Sequence, residues 1–244
     1  MNPSFKYSVQ LITSEDQLTK ALKLRYRIYK KVFPLLVKDL DQQQHESDKF
    51  DERSVHLGLY CEKGREKILA GYCRLVLPQY FSNKFLDVLI QSHGLYPHTC
   101  GSKSNEKMAS IEKMPEEIQH KINSFCTFLE SGEVIYAETS RFIIDEEHHS
   151  ISLASFFVSS MFAICESLNI KYSFFTCSHH HVPFYKRFGL TLFSGIEPYD
   201  NGIYGDQFVV FGTNLEIANA QQNAIKTFRL QLEKENQITF RRAA

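Results

Sequence analysis

The sequence has no excess of charge of either sign, because 28 lysines and arginines balance 28 aspartates and glutamates over 244 residues. A chain without a basic surplus lacks the overall field that draws nucleic-acid-binding proteins to their partners. Nucleic acid is therefore not an expected partner, and an acidic partner must meet a local basic patch. Hydrophobic residues at 43% and charged residues at 23% are typical of a globular chain.

Metal-binding and disulfide patterns are also missing. The six cysteines form no Cys-x-x-Cys pair and several lie in apolar runs, which indicates buried free thiols. Histidines cluster at 148–149 and 179–181, but adjacent histidines on a strand or loop point in different directions. We therefore predict no metal site and no tightly bound cofactor.

A signal-peptide pattern is absent from the first residues. The longest apolar run, 151–168, contains four serines before Glu166 and lies at the lower limit of a bilayer span. We expect this run to form a buried core helix in a cytoplasmic protein without a transmembrane span, which leaves room only for peripheral membrane contact.

The order of the predicted elements indicates an α/β (α+β) fold with a mixed sheet and helices on both faces. A capping box, Ser14 to Gln17, introduces the first helix. The further elements are strands at 7–13, 54–64, 67–78, 133–144 and 170–177, helices at 151–168 and 182–189, and final strands at 190–194 and 206–213.

These elements define a domain at 1–213 and a C-terminal amphipathic helix and tail at 214–244. Residues 79–132 interrupt the domain as an insertion with helix-like pieces at 83–92 and 115–130. A polar segment, 97–110, separates the two pieces and resembles a flexible excursion.

Two charged residues, Glu138 and Arg141, lie in the most apolar strand of the chain. An unpaired buried charge costs several kcal/mol, so both must have partners. One interpretation is a purely structural ion pair. The other is a strand facing a cleft, where Glu138 acts as a base and Arg141 holds a carboxylate. Strict alternation would separate the two side chains, whereas a β-bulge would bring them together.

Further charges stand in apolar surroundings. Arg25 occupies an apolar position of the first helix, and Arg74 lies within the strand LAGYCRLVL. The simplest way to neutralise these buried charges is a network that pairs both arginines and Arg141 with Asp48, Asp51 and Glu138. Loop carboxylates are often solvated, and Asp39 and Asp41 compete for the same roles.

The segments LRYRIYKKVF, ESDKFD, GYCRL and AETSRFIID occur in the order and rough spacing of acyl-homoserine lactone synthases. FYKRFGLTLFSGIEPY resembles long-chain N-acyl amino acid synthases and exosortase-associated acyltransferases. The chain thus resembles the GNAT-fold autoinducer synthase-like family over about residues 15–215. The resemblance implies a mostly antiparallel sheet with a V-shaped cleft at its central strands, and transfer of a fatty acyl chain to an amine.

The same resemblance implies the functional residues. Glu138 and Arg141 carry over as catalytic, and the substrate-binding positions are Arg25, Tyr29, Asp48, Asp51, Arg74 and Ser140. The lactone synthases place a tryptophan shortly after the first helix, where this chain has Phe33, Pro34 and Leu35 and no tryptophan anywhere. This departure favours an amino acid or another small amine over S-adenosylmethionine as the acceptor. A lactone synthase is the alternative enzyme, and a non-catalytic module that binds acyl-ACP or lipid is the alternative of another class.

The acyl donor is suggested by the linker 145–149, which has three carboxylates and no glycine. GNAT enzymes that bind coenzyme A cradle its pyrophosphate with glycine-rich backbone N–H groups at this place. The linker and the resemblance together predict acyl carrier protein as partner and acyl-ACP, or else acyl-CoA, as donor. Lys186 and Arg187 beside Phe184 form either a docking patch or a solvated helix face, and His179 to His181 are expected at the cleft mouth.

Overall fold

The computed structural model describes residues 5–32, 34, 37, 44–78, 110, 114–200, 207–214 and 222–241. The expected helix at 83–92 and nearly all of the polar segment 97–110 lie outside these residues. The strands are β1 Lys6–Leu11, β2 Ser54–Lys63, β3 Glu66–Val76, β4 Tyr136–Ile144, β5 Tyr172–Ser178, β6 Tyr199–Asp200, β7 Gln207–Asn214 and β8 Ile238–Arg241. The helices are α1 Glu15–Val32, α2 Glu116–Ser131, α3 Ile151–Ser167, α4 Val182–Lys186 and α5 Gln222–Glu235.

The strands form one sheet in the order β6-β7-β5-β4-β3-β2-β1-β8. Neighbouring strands are antiparallel except for β4 and β5, which are parallel and connected through α3. The expected mixed, mostly antiparallel sheet is confirmed. The parallel pair lies at its centre, where the cleft was predicted.

Helix α1 begins as the capping box predicted. The amide of Gln17 donates to Ser14 Oγ at 3.3 Å, and the Gln17 side chain accepts from the amide of Thr13 at 2.9 Å. One face of α1 packs on β3 and β4 through Tyr72 and Ile143. This contact fixes the face of the sheet on which Arg25 and Tyr29 lie.

Helix α3 lies on the opposite face and is the core helix expected from its apolar run. Ser150 caps it by accepting the amide of Leu153 at 3.2 Å. Twelve of its 17 residues are buried, which explains why its apolar residues follow no single stripe. Within the described ranges, no helix is long and apolar enough to cross a membrane.

The C-terminal segment differs from its expected form. Helix α5 packs on α3, with the rings of Phe156 and Phe228 edge to face at 5.6 Å. The expected tail continues into β8, which pairs antiparallel with β1 and places the Phe240 ring on Phe156. A four-residue strand carries too short a pattern to be recognised without its partner.

One other strand prediction needs correction, and one short strand was not predicted. The expected strand at 190–194 is a single bridge from Leu192 to Phe211. The short strand β6, Tyr199–Asp200, pairs with the start of β7 instead. Both are edge elements, whose pairing depends on neighbouring chain more than on local pattern.

Candidate functional site

The two parallel strands separate towards their carboxyl ends. β4 and β5 pair from Tyr136 with Tyr172 to Glu138 with Phe174, and the pairing stops there. Beyond this point β4 remains paired with β3, and β5 with β7. A strand that loses one neighbour leaves backbone N–H and C=O groups facing the gap. The predicted V-shaped cleft therefore opens beside Glu138.

A bulge in β4 determines which side chains face this opening. The register of β4 against β3 shifts between Tyr72 and Arg74, so Arg141 and Phe142 lie opposite Cys73 alone. Arg141 has a φ of 57°, a left-handed conformation that is uncommon for a residue with a side chain. The bulge lies one step after the expected place, and Glu138, Ser140 and Arg141 all line one cavity.

The arginines expected to form a network do so with three carboxylates of the loop before β2. We call this set the ionic cluster. Its members are Arg25, Arg74, Arg141, Glu46, Asp48 and Asp51. Three cations face three anions, so the cluster is neutral when all six groups are charged.

Arg74 is at the centre of the ionic cluster. It holds Asp48 through two bonds of 2.7 Å and Asp51 through one of 2.6 Å. Its Nε donates to Ser140 Oγ at 3.0 Å, which ties the cluster to β4. Arg25 binds Asp51 at 2.5 Å and also binds Glu46. Parallel bonds of this kind fix both partners in orientation as well as in distance.

Glu46 takes the place that the sequence assigned to Glu138. Its carboxylate bridges Arg25 and Arg141, with Arg141 Nη2 at 2.9 Å from Oε1. Glu138 lies outside the cluster, and its two oxygens accept the amide of Ser110 at 3.1 and 3.3 Å. The network with Glu138 as third anion was therefore wrong. Glu46 stands in the segment ESDKFD, but only its distance from the arginines distinguishes it from other loop acids.

Burial divides the ionic cluster into a hidden and an exposed part. The side chains of Arg25 and Arg74 are fully buried, and Asp51 is nearly so. The side chains of Asp48 and Arg141 are each 24% exposed and line the cavity. Arg25, Asp51 and Arg74 thus lie behind the cavity wall and support the two residues that form it.

Electrostatics keeps the two aspartates of the cluster charged. Burial by itself would raise the pKa of Asp51, but Arg25 and Arg74 outweigh it and hold the pKa far below the usual range. Asp48 follows the same pattern with Arg74 and Arg141, and its pKa is also lowered. Tyr29 responds in the opposite direction, since burial raises its pKa and keeps the phenol neutral. Its ring lies 5.5 Å from the Arg141 guanidinium carbon.

The cavity has a volume of about 1080 Å³ and reaches both faces of the sheet through the gap between β4 and β5. Its polar arm, on the α1 face, contains Tyr29, Asp48, Glu138, Ser140 and Arg141. Its apolar arm, on the α3 face, is lined by Ala154, Val158, Met161, Phe175, Phe184 and Leu190. Such a space accommodates a ligand with a long apolar part and a small charged part.

The segments that follow β4 and β5 contribute exposed residues to the cavity lining. His149, His180, His181 and Arg187 are exposed and line the cavity, while His179 is exposed but outside it. Among the described residues, no group of three histidines, cysteines or acids is arranged to hold a metal ion. Cys177 lies deeper, where burial raises the pKa of its thiol to about 12.

The acidic linker is less repulsive than its sequence indicates. Asp145 is buried and paired with Arg27, and Glu146 is paired with Lys31. Both cations lie on α1, a contact that linear spacing does not reveal. Of the three linker carboxylates, two therefore have part of their charge offset.

The chain was compared with protein-family models, curated sequences and solved structures, and the family models and solved structures both indicate the GNAT fold. Residues 24–118 match the family model described as an acetyltransferase (GNAT) domain, which includes Arg25, Asp48, Asp51 and Arg74. The sheet, with its separated central strands, is that of the GNAT-type acyltransferases. The expected resemblance is confirmed at this level. No curated protein sequence matches the chain.

Three solved structures illustrate the likeness. The CoA-dependent acyl-homoserine lactone synthase BjaI, with SAM and isopentyl-CoA, has a TM-score of 0.55 and 14% identity, covering 90% of each chain. FeeM, an N-acyl amino acid synthase from uncultured soil microbes, has a TM-score of 0.49 and 10% identity, covering 88% of this chain and 93% of its own. The AHL synthase LasI has a TM-score of 0.49 and 15% identity, covering 86% and 90%.

Proposed function

We propose that the protein is an N-acyltransferase that moves a fatty acyl chain from acyl carrier protein, or from coenzyme A, to the amine of an amino acid or another small amine. The observation that carries the proposal is that one cavity joins an apolar arm to a polar arm at the gap between β4 and β5. The apolar arm suits the acyl chain, and the polar arm suits the acceptor. The thioester carbonyl then lies beside Glu138.

In this reaction the neutral amine attacks the thioester carbonyl carbon. A C–N bond forms, the C–S bond breaks, and the thiolate leaves with the donor and takes up the proton that Glu138 releases, directly or through water, to give the thiol. Glu138 accepts the proton that the amine loses, directly or through one water. Its carboxylate lines the cavity, where the backbone amide of Ser110 donates to its two oxygens at 3.1 and 3.3 Å.

The tetrahedral intermediate carries negative charge on oxygen. Backbone N–H groups on the open edge of β4 point into the gap and can donate hydrogen bonds to this oxygen. Their positions are fixed because the other edge of β4 is paired with β3. Arg141 presents a cation to the acceptor, and Asp48 an anion. An amino acid offers the complementary pair, a carboxylate and an ammonium group that must lose its proton before attack.

The proposed donor is acyl-ACP in preference to acyl-CoA. The linker after β4 has no glycine, and Ser150 Oγ occupies the amide of Leu153 at the start of α3. Fewer backbone N–H groups are then available for a pyrophosphate than in a glycine-rich loop. Two of the linker acids are paired with Arg27 and Lys31, which reduces their repulsion of a pyrophosphate. The preference for acyl-ACP therefore depends on the missing glycines and on the Leu153 amide that Ser150 already binds.

The test is mass spectrometry of the products that the purified protein forms from acyl-ACP or acyl-CoA with a panel of amino acids and small amines. An N-acyl amino acid formed by the wild type and lost in Glu138→Gln supports the proposal. A homoserine lactone formed with S-adenosylmethionine identifies a lactone synthase instead. Tight acyl-ACP binding without any product identifies a binding module and overturns the enzyme.

A further inference from the structure

Ser110, a residue of the predicted insertion 79–132, lies against the proposed base. Its backbone amide donates to the two carboxylate oxygens of Glu138 at 3.1 and 3.3 Å, and Ser110 lines the cavity beside them. A donor shared between both oxygens fixes the orientation of a carboxylate as well as its distance. The insertion therefore contacts the proposed base directly.

The chain that follows Ser110 is anchored by packing. Met114, four residues later, is buried in an apolar cluster that includes Phe174 and Tyr199. Its carbonyl oxygen accepts a hydrogen bond from Gln119 Nε2 at 2.7 Å, which ties it to α2. Tyr199 also lines the cavity, so the packing that holds the insertion extends to the cavity wall.

The hydroxyl of Ser110 has an unmet need for a hydrogen bond. Its oxygen is buried, and within the described part of the chain it has no hydrogen-bond partner. A buried hydroxyl without a partner is unfavourable and uncommon in a native protein. Because Ser110 lines the cavity, a ligand in the cavity can supply the missing bond. The hydroxyl oxygen and the Glu138 carboxylate then form a pair of acceptors for one N–H-bearing group.

An amine nitrogen fits between these two acceptors. The amide nitrogen and Oγ of one serine lie about 3 Å apart, so Ser110 Oγ is within about 6 Å of the nearer Glu138 oxygen. A nitrogen that makes two hydrogen bonds of about 2.9 Å each can bridge oxygens up to about this separation. The Ser110 amide uses one lone pair of each Glu138 oxygen, which leaves further lone pairs for the amine.

We propose that Ser110 Oγ accepts one N–H of the acceptor amine while Glu138 accepts the other, and that this pair of contacts selects primary amines. The inference rests on the proposed function, since it takes Glu138 as the base and a small amine as the acceptor. A neutral primary amine has two N–H groups and one lone pair, so both bonds form while the lone pair attacks the thioester carbon. Glu138 takes the proton, and Ser110 remains a hydrogen-bond acceptor without any covalent step. A secondary amine has one N–H and satisfies only one of the two oxygens.

Calorimetry without an acyl donor tests the contact in the absence of acyl transfer. The probes are L-leucine, L-phenylalanine and L-glutamate, each compared with the carboxylic acid that lacks its amino group. We expect the wild type to bind at least one of these amino acids at least about fivefold more tightly than its deamino analogue, and this preference to decrease at least about threefold in Ser110→Ala. The alanine variant removes the hydroxyl and keeps the amide that orients Glu138. Ser131→Ala is the matched control, because Ser131 is an exposed serine of the same insertion and does not line the cavity.

Acylation kinetics test the selection of primary amines. The ratio of kcat/KM for the amino acid that binds most tightly to that for its N-methyl derivative should decrease at least about threefold in Ser110→Ala and stay unchanged in Ser131→Ala.

A wild type without any amine preference in binding overturns the inference, as does a Ser110→Ala variant that keeps this preference at a native melting temperature. A protein that loses the preference in Ser110→Ala but forms no acyl amide keeps the contact and loses the proposed function. Product formation with the same ratio for primary and N-methyl amines in wild type and Ser110→Ala keeps the proposed function and contradicts the contact.

Discussion

Glu46 and Arg141 are joined by a two-point contact, with Arg141 Nη2 at 2.9 Å and Nε at 3.1 Å from Glu46 Oε1. The same glutamate binds the fully buried Arg25. A residue of the cavity wall is thus held by a carboxylate that is itself fixed from behind. The contact connects the buried part of the ionic cluster to the part that faces the cavity.

Glu138→Gln tests the assignment of the base. We expect turnover to decrease at least about a hundredfold with an unchanged melting temperature, because the amide keeps the shape but accepts no proton. Glu66→Gln in the β2–β3 hairpin is the control, since Glu66 is exposed and does not line the cavity. Near-normal turnover of Glu138→Gln would remove this residue from the mechanism.

The variants Asp48→Asn and Asp51→Asn distinguish a role in binding the amine acceptor from a role in stabilising the fold. Asp51 is nearly buried between Arg25 and Arg74, so its substitution should lower the free energy of unfolding by about 3 to 5 kcal/mol. Asp48 is partly exposed in the cavity, so its substitution should raise KM for the amine or lower turnover more than it lowers stability. Urea unfolding and amine-dependent kinetics give both quantities. If both variants are destabilised but their folded fraction keeps full activity, both residues serve only the stability of the fold.

Arg141 allows the backbone and the guanidinium to be tested apart. Its φ of 57° suits glycine, whereas alanine retains the strain of a β-carbon there. We expect Arg141→Gly to be more stable than Arg141→Ala by about 1 kcal/mol, and both to lose acceptor-dependent activity. Equal stability of the two variants would show that the bulge relaxes when the arginine is removed.

The acyl arm should set the chain length of the donor. Val158 is buried on α3 and lines this arm, so Val158→Phe should reduce the space for the end of the acyl chain. The ratio of kcat/KM for a long acyl donor to that for a short one should decrease at least about tenfold, since several methylenes at about 0.8 kcal/mol each lose their contacts. Leu230→Phe on the exposed face of α5 is the matched control. An unchanged ratio would place the acyl chain elsewhere.

The ionic cluster predicts acid sensitivity. Asp48 and Asp51 have lower pKa values in the folded protein than the ordinary value of about 3.9 for an unfolded chain. Below that value the unfolded state binds more protons than the folded state, so these groups stabilise the fold above about pH 4 and the contribution is lost as the pH falls. Urea unfolding at pH 6 and pH 3 should show this loss, and Asp51→Asn should show less of it than Asp16→Asn. An equal loss in both variants would assign the acid sensitivity to other carboxylates.

The sequence by itself determined most of the elements and the residues that had to be paired. Arg25, Arg74 and Arg141 stand in apolar patterns, so their need for partners follows from the cost of burying charge. The capping box, the buried helix α3 and the central strand β4 are local or composition-driven features, and all three form as predicted. The family motifs added the fold class, which the comparisons confirm.

Only the tertiary structure decided which charges meet. Glu46 and Glu138 are both acids near predicted arginine partners, and choosing between them requires the distances across a loop and a bulged strand. The pairing of Asp145 with Arg27 joins residues 118 positions apart, and β8 needs β1 beside it to exist as a strand. Long-range pairing depends on packing geometry that no local pattern encodes. The sequence therefore indicated which arginines needed anionic partners, and the fold decided that Glu46 is one of those partners.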